Sequence, residues 1–182
     1  MSNSAHNSER TAPSIRPARA SDAPRLQQVE VATHSQFRAI GHDNVADDPP
    51  DSIEVLTSYA ESGRSWVAVD GEGEAIGYAL VSTVDKAAHI DQITVHPAHQ
   101  GRGVGKALLE QAKQWARRNE LPAMTLTTFS EVPWNRPLYE HLGFRVLGPD
   151  EVGTGLRAIQ DHEAEKGFGP EGRVAMELRL GS

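Results

Sequence analysis

The chain contains no cysteine, which removes disulfide staples, thiolate metal sites and a cysteine nucleophile from consideration. It has no apolar run near the roughly twenty residues a membrane span needs. The opening MSNSAHNSERTAPS has neither the apolar stretch nor the basic cluster of a targeting peptide. A cytoplasmic protein without a membrane partner is the expectation. Positive charge is also scarce: 18 Lys and Arg stand against 25 Asp and Glu, a net charge of -7. A nucleic-acid face normally shows as clustered excess Lys and Arg, so no nucleic-acid partner is expected. No carboxylate-histidine spacing is distinctive enough to name a metal site.

What remains is an ordinary globular composition over 182 residues, with 38% hydrophobic and 24% charged residues. That length suits one domain, residues 14–182, behind a Ser/Asn-rich, disordered tail at residues 1–13. A short strand at Ser14–Arg16 is followed by a helix from Asp22 to about Phe37, carrying Leu26, Val29, Thr33 and Phe37 at helical spacing. GHDNVADDPPDS reads as an acidic loop, after which Asp51 or Ser52 caps a short helix to Glu61. Strands at Ser65–Val69 and Ala75–Ser82 flank an Asp-Gly hairpin turn, and a third spans Ala87–Val95. Gly103–Asn119 is an amphipathic helix with Val104, Leu108, Ala112 and Trp115 on one face. Met124–Thr128 follows as a strand parallel to its predecessor, because a helix crosses between them. A helix from Asn135 to Leu142, a strand at Phe144–Leu147, a polar insertion with one helix, and the closing RVAMELRL complete the order. The fold class is α+β (or α/β), a mixed sheet with helices on its faces.

Gln100-Gly101-Arg102-Gly103-Val104-Gly105-Lys106 lies between the third strand and the long helix. The first amides of a helix lack internal partners and sit at the positive end of its dipole, so they attract an anion. Glycines let a bulky phosphate approach. A P-loop, G-x-x-x-x-G-K-S/T, fails at Gln100 and Ala107, and the dinucleotide fingerprint G-x-G-x-x-G fails in spacing and in place. A glycine-rich turn that merely lets a strand enter a helix is the plain alternative.

The stretch VHPAHQGRGVGKALL resembles the Q/R-x-x-G-x-G/A pyrophosphate motif of the GNAT superfamily, the acetyl-CoA-dependent N-acetyltransferases, and Val95-His96-Pro97 before it is similar too. Downstream, NRPLYEHLGF is similar to that family's N-x-x-x-x-x-Y-x-x-x-G-F ending through Asn135, Tyr139, Gly143 and Phe144. The resemblance runs from about Ile15 to Leu147 and departs at the insertion that follows. It implies a GNAT-like fold with a mixed, mostly antiparallel sheet, and acetyl-CoA as acyl donor. The implied activity is acetyl transfer to a primary amine of a small molecule or peptide, by direct attack in a ternary complex. It implies a diphosphate on amides from Gln100, Gly101, Arg102, Gly103, Val104, Gly105 and Lys106, and a pantetheine arm along Ile93, Thr94 and Val95. A backbone N–H at a strand bulge, placed at Val95, would hold the acyl carbonyl. A homodimer is a further implication. A non-catalytic acyl-CoA-binding or sensing protein of the same fold, or a transferase of longer acyl chains, is the alternative.

Acetyl transfer needs a neutral amine, a polarised carbonyl and a proton for the departing thiolate. Tyr139 is the candidate acid, because a phenol of pKa about 10 keeps its proton at neutral pH. Asn135, four residues earlier, shares its helix face and can reach the cofactor; the plain readings are a core aromatic and an N-cap. His89 and Asp91 alternate on the strand leading to Val95 and are the candidate bases, with a plain polar pair as the alternative. The resemblance implies that the loop holding Asp43, Asp47, Asp48 and Asp51 lines the acceptor side, where it would draw a cationic amine; a solvated acidic loop is the plain reading. Trp134, Arg157, His162 and Glu163 are candidates to wall that side.

Overall fold

The computed structural model describes residues 12–132, 134–168 and 172–181, so the expected tail at residues 1–13 falls almost wholly outside it. Among these residues the strands are β1 (Ser14–Pro17), β2 (Ser65–Val69), β3 (Ala75–Val84), β4 (Ala87–Val95), β5 (Ala123–Phe129), β6 (Arg145–Val146) and β7 (Arg173–Arg179). They form one sheet in the order β1-β2-β3-β4-β5-β7-β6. Every neighbouring pair is antiparallel except β4 and β5, which are parallel as a helical crossover requires. The helices are α1 (Ala23–Ala39), α2 (Asp43–Asp47), α3 (Ile53–Glu61), α4 (Val104–Arg118), α5 (Arg136–His141) and α6 (Thr154–Glu165).

Alternation along the strands splits the core into two layers. Ala79 and Val81 of β3 pack with Val104, Leu108, Leu109 and Ala112 of α4, while Tyr78 and Leu80 face Leu26 and Val29 of α1 and Leu56 of α3. The same rule divides β7, whose Met176 joins the α4 layer and whose Ala175 packs under Leu156 of α6. The last strand therefore enters the sheet beside β5, and α6 covers it on the face shared with α1 and α3.

The acidic stretch expected to be a loop contains α2, a single turn in which Asp43 and Asp47 both pair with Arg38 of α1. These ion pairs reward a helical turn that the Asp and Pro content argues against. The strand expected at Phe144–Leu147 shortens to Arg145–Val146, because Phe144 turns into the α4 layer and Leu147 into the α6 layer.

Gly77 marks where α4 presses hardest on the sheet. A Cβ there would lie 2.9 Å from the Thr94 carbonyl oxygen and 3.2 Å from the Val104 side chain, and the strand backbone cannot yield. Gly77→Ala should therefore cost about 1–3 kcal/mol, read as a lowered urea midpoint at unchanged m-value.

Candidate functional site

The site begins with a surplus residue in β4. Leu80 of β3 pairs with Gln92 and Val81 with Ile90, leaving Asp91 unmatched in a bulge. Before the bulge, Ala88 and Ile90 face α4; after it, Ile93 and Val95 do. The sequence carries this as a three-residue step between isoleucines where strict alternation would give two. The bulge is thus at Asp91 and not at Val95, which pairs regularly with Gly77.

The bulge sits where β4 and β5 part. Their pairing comprises Ala88 with Met124 and His89 with Thr125, and there the His89 Nδ1 lies 3.0 Å from the Thr125 Oγ1. Beyond that rung the strands diverge. The His96 N–H donates to the Ile76 carbonyl at 2.8 Å, which fixes the phase of the antiparallel ladder. Tyr78–Thr94 and Leu80–Gln92 are then the rungs that exchange hydrogen bonds, and the N–H groups of Ile93 and Val95 turn away from β3 into the gap. The Val95 carbonyl turns the same way and accepts the Gln100 Nε2 at 3.0 Å.

Gln100 is held further by paired bonds to Gln36 of α1, at 2.9 and 3.1 Å, so its amide braces the strand end. After it Gly101 and Gly103 take φ of +72° and +82°, conformations a side chain disfavours, with nothing within 4 Å of where a Cβ would stand. Gly103 is the N-cap of α4 and no side chain caps the helix. The amides of Val104, Gly105 and Lys106 thus start a 15-residue helix beside an open turn. Arg102 leaves this side and lines a separate hollow with Asp70.

Two hollows meet in the gap. One, about 450 Å³, is lined by the glycine turn, Lys106, Ile93, Val95, the α5 residues Leu138 and Tyr139, and Leu142 just after them. The other, about 580 Å³, lies across the sheet between α1, α3, β5 and α6. Ile93, Val95, Gln100, Trp134, Asn135 and Tyr139 line both, so they stand at the junction. Asn135 occupies the N-cap position of α5 without capping it, and its side chain makes no hydrogen bond among the described residues. Tyr139 packs edge-on against Phe144 at 5.7 Å, and burial pushes its phenol up to about 12, opposed by Arg173.

The second hollow joins carboxylates to aromatic walls. Asp48, Asp51, Asp91 and Glu163 line it together with Tyr59, Phe37, Phe129 and Phe168. Asp48 is paired with Lys166 at 3.4 Å and Glu163 with Arg173 at 2.9 Å. Asp91 accepts the Ser82 hydroxyl at 3.0 Å, and Tyr59 approaches it as a second donor. Burial still pushes the carboxyls of Asp91 and Asp51 above their ordinary range. Glu30 behind them shifts the same way despite bonds from Tyr78 and the Asp51 amide.

His89 lies on the same face of β4 as Asp91, opposite to Ala88 and Ile90, but it does not line the hollow. It is buried at the parting rung, and burial, then the charge of Arg173, lowers its imidazole to about 4. Asp43 and Asp47 lie off the hollow on Arg38, and Arg157 turns to the carbonyls of Pro149 and Val152. Asp48, Asp51, Trp134, His162 and Glu163 do line it. Tyr59, Phe129 and Thr127 were not singled out in the sequence, where nothing local distinguishes them.

The model of the acetyltransferase (GNAT) family matches residues 26–144. Among curated proteins, the chain is 28% identical over 99 residues to the peptidyl-lysine N-acetyltransferase YjaB of Salmonella typhimurium, covering 54% of this chain and 62% of that protein. It is 30% identical over 91 residues to a streptothricin acetyltransferase of Streptomyces lavendulae, covering 49% and 48%. The matches thus span less than two thirds of these relatives' lengths. In fold the chain is similar to the PaiA N-acetyltransferase of Thermoplasma acidophilum in complex with coenzyme A, with TM-score 0.70, 15% identity, 93% of this chain and 100% of that one.

The state of His89 sets a pH dependence. Its folded pKa lies below the unfolded value of about 6.5, so the unfolded chain takes the proton first and stability falls as pH drops through the window from about 6.5 to about 4. His89→Gln should lessen the stability lost between pH 7 and pH 4 by roughly 3 kcal/mol relative to wild type, measured by urea unfolding. The difference between the two proteins is the readout, because the raised carboxyls of Asp91, Asp51 and Glu30 act in the opposite direction.

Proposed function

The chain belongs to the acetyltransferase (GNAT) family, and from that premise we propose that it transfers an acetyl group from acetyl-CoA to a primary amine of a small molecule or peptide, by direct attack within a ternary complex. The observation that carries this reading is a coincidence of place. An uncapped helix start and the outward N–H groups of Ile93 and Val95 open on one cavity, and Tyr139 stands where that cavity meets an acid-lined one.

In this reading the amides from Gly101 to Lys106 hold the diphosphate, with no counter-charge beyond the helix dipole and Lys106. The pantetheine amides add to β4 as a neighbouring strand would, bonding to the edge left by the divergence from β5. Ile93 and Val95 supply those bonds, whereas the Thr94 backbone faces β3 and its hydroxyl accepts the Gln92 amide at 2.8 Å. Asn135, whose side chain has no hydrogen-bond partner among the described residues, bonds the same arm.

The amine enters from the acidic side. A cation is drawn there, yet only the neutral amine can attack, so a base must take its proton. Asp91 is that base: its raised carboxyl stands in the cavity beside donors that orient it, and it is closer in strength to an amine than an ordinary surface carboxylate. His89 has no such role, being buried outside the lining. The nitrogen attacks the thioester carbon, the tetrahedral intermediate collapses, and the C–S bond breaks as Tyr139 gives its proton to the thiolate. Tyr139 is protonated at the outset because its pKa is raised to about 12.

Related proteins bear on the acceptor only by their names, a peptidyl lysine in one and streptothricin in another. Both can be offered to this enzyme beside a short diamine in a thiol-release assay. Tyr139→Phe should lower kcat about a hundredfold or more while leaving the CoA Kd within about twofold. Asp91→Asn should abolish the acid limb of the kcat/KM profile, which in wild type lies above the ordinary carboxylate range because activity fails as pH falls through the raised pKa of Asp91. CoA binding without transfer to any amine would leave the binding or sensing reading in its place.

A further inference from the structure

The G-T-G at residues 153–155 opens α6, the helix of the insertion. Its glycines are explained by a residue of another element. The β3–β4 hairpin turns through Asp85 and Lys86, with φ of 49° and 63°, and the Asp85 carboxylate reaches the start of α6. Its Oδ1 accepts the Gly155 N–H and its Oδ2 the Leu156 N–H, both at 2.9 Å. Gly153, the N-cap, contributes no side-chain bond, so Asp85 caps a helix some seventy residues away in its stead. The fit is close: a Cβ at Gly153 would stand 2.7 Å from the Asp85 Cγ, and one at Gly155 2.9 Å from its Oδ1.

The far end of the same helix reaches the acid-lined cavity. Glu163 bonds the Thr127 hydroxyl and Arg173, and Lys166 just beyond reaches Asp48. Leu156, buried against Leu147 and Ala175, fixes the helix over the sheet, but an apolar contact does not fix its position along its axis. A directional two-point cap does. From Leu156 to Glu163 is about 10 Å of helix, short enough to carry a displacement unchanged.

We propose that Asp85 is a positioning residue for the acceptor: by capping α6 from the neighbouring hairpin it sets where Glu163 and Lys166 stand in the acceptor wall, and so tunes acceptor binding from outside the site. This rests on the transferase reading above. It concerns the amine and leaves the acetyl-CoA side untouched, because Asp85 and α6 lie outside the lining of the cofactor hollow.

The test uses the full chain, acetyl-CoA, and the best substrate among a lysine peptide, a short diamine and streptothricin. Asp85→Gly keeps the left-handed turn accessible and removes both acceptors. It should raise the acceptor KM about tenfold, with kcat within about threefold and the CoA Kd unchanged. Asp85→Asn, retaining one acceptor oxygen, should fall between, and it decides by the same split if the glycine variant fails to fold. Gly153→Ala should raise KM alone and add little on top of Asp85→Gly, because the clash it creates is with Asp85. The proposal is overturned by an unchanged KM, by a joint loss of KM, kcat and CoA affinity, or by additive effects of the two variants. A wild-type protein that acetylates none of the three amines overturns the transferase reading and this inference with it, a result that needs no variant to recognise.

Discussion

One surplus residue in β4 governs the cleft. Had β4 run regularly past Asp91, its outer edge could have continued to pair with β5, and the N–H groups of Ile93 and Val95 would have been spent inside the sheet. The bulge bends the strand away and shifts its phase, so that the same two residues pack on α4 through their side chains and present backbone to the gap. Unpaired backbone is costly in a buried place. The structure limits that cost at both ends of the gap, with the His89–Thr125 contact at the parting rung and Gln100 on the Val95 carbonyl. His89 belongs to this frame. A neutral imidazole is worth burying there because it closes the last shared rung, and its lowered pKa is the consequence of that position.

What the sequence made legible is what local chemistry determines. The limits of β4 and α4 follow from Pro97, the glycine turn and a strong helical period, and the structure reproduces them within a residue. The crossover made β5 parallel to β4 without any knowledge of distant contacts. The bulge was legible as well, since Ile90 and Ile93 cannot both face α4 in an unbroken strand. The assumption of strict period two hid it, and with it went the placing of the irregularity at Val95. The second cavity was legible only in fragments. Its wall is assembled from α1, α3, β5 and α6, and residues such as Tyr59 and Phe129 gain meaning only from that assembly. The turn α2 was hidden for a related reason, because its support comes from Arg38 on the preceding helix.

The acceptor side is acidic in composition but selectively so in effect. Asp48 and Glu163 are matched by Lys166 and Arg173, whereas Asp51 and Asp91 form no ion pair among the described residues. Burial is what raises their carboxyls. In the proposed reaction this separates two tasks. The paired carboxylates hold the wall together, and the unpaired ones face the incoming amine.

Desolvation moves Tyr139 and Asp91 in one direction, since it disfavours the charged form of both. Their proposed roles are nevertheless opposite, and the reference strengths of the two groups resolve this. A phenol starts near 10, so raising it keeps its proton secure until a more basic leaving group demands it. A carboxyl starts near 4, so raising it makes it a stronger base toward an ammonium. In the proposed reaction one cleft thus supplies both an acid and a base.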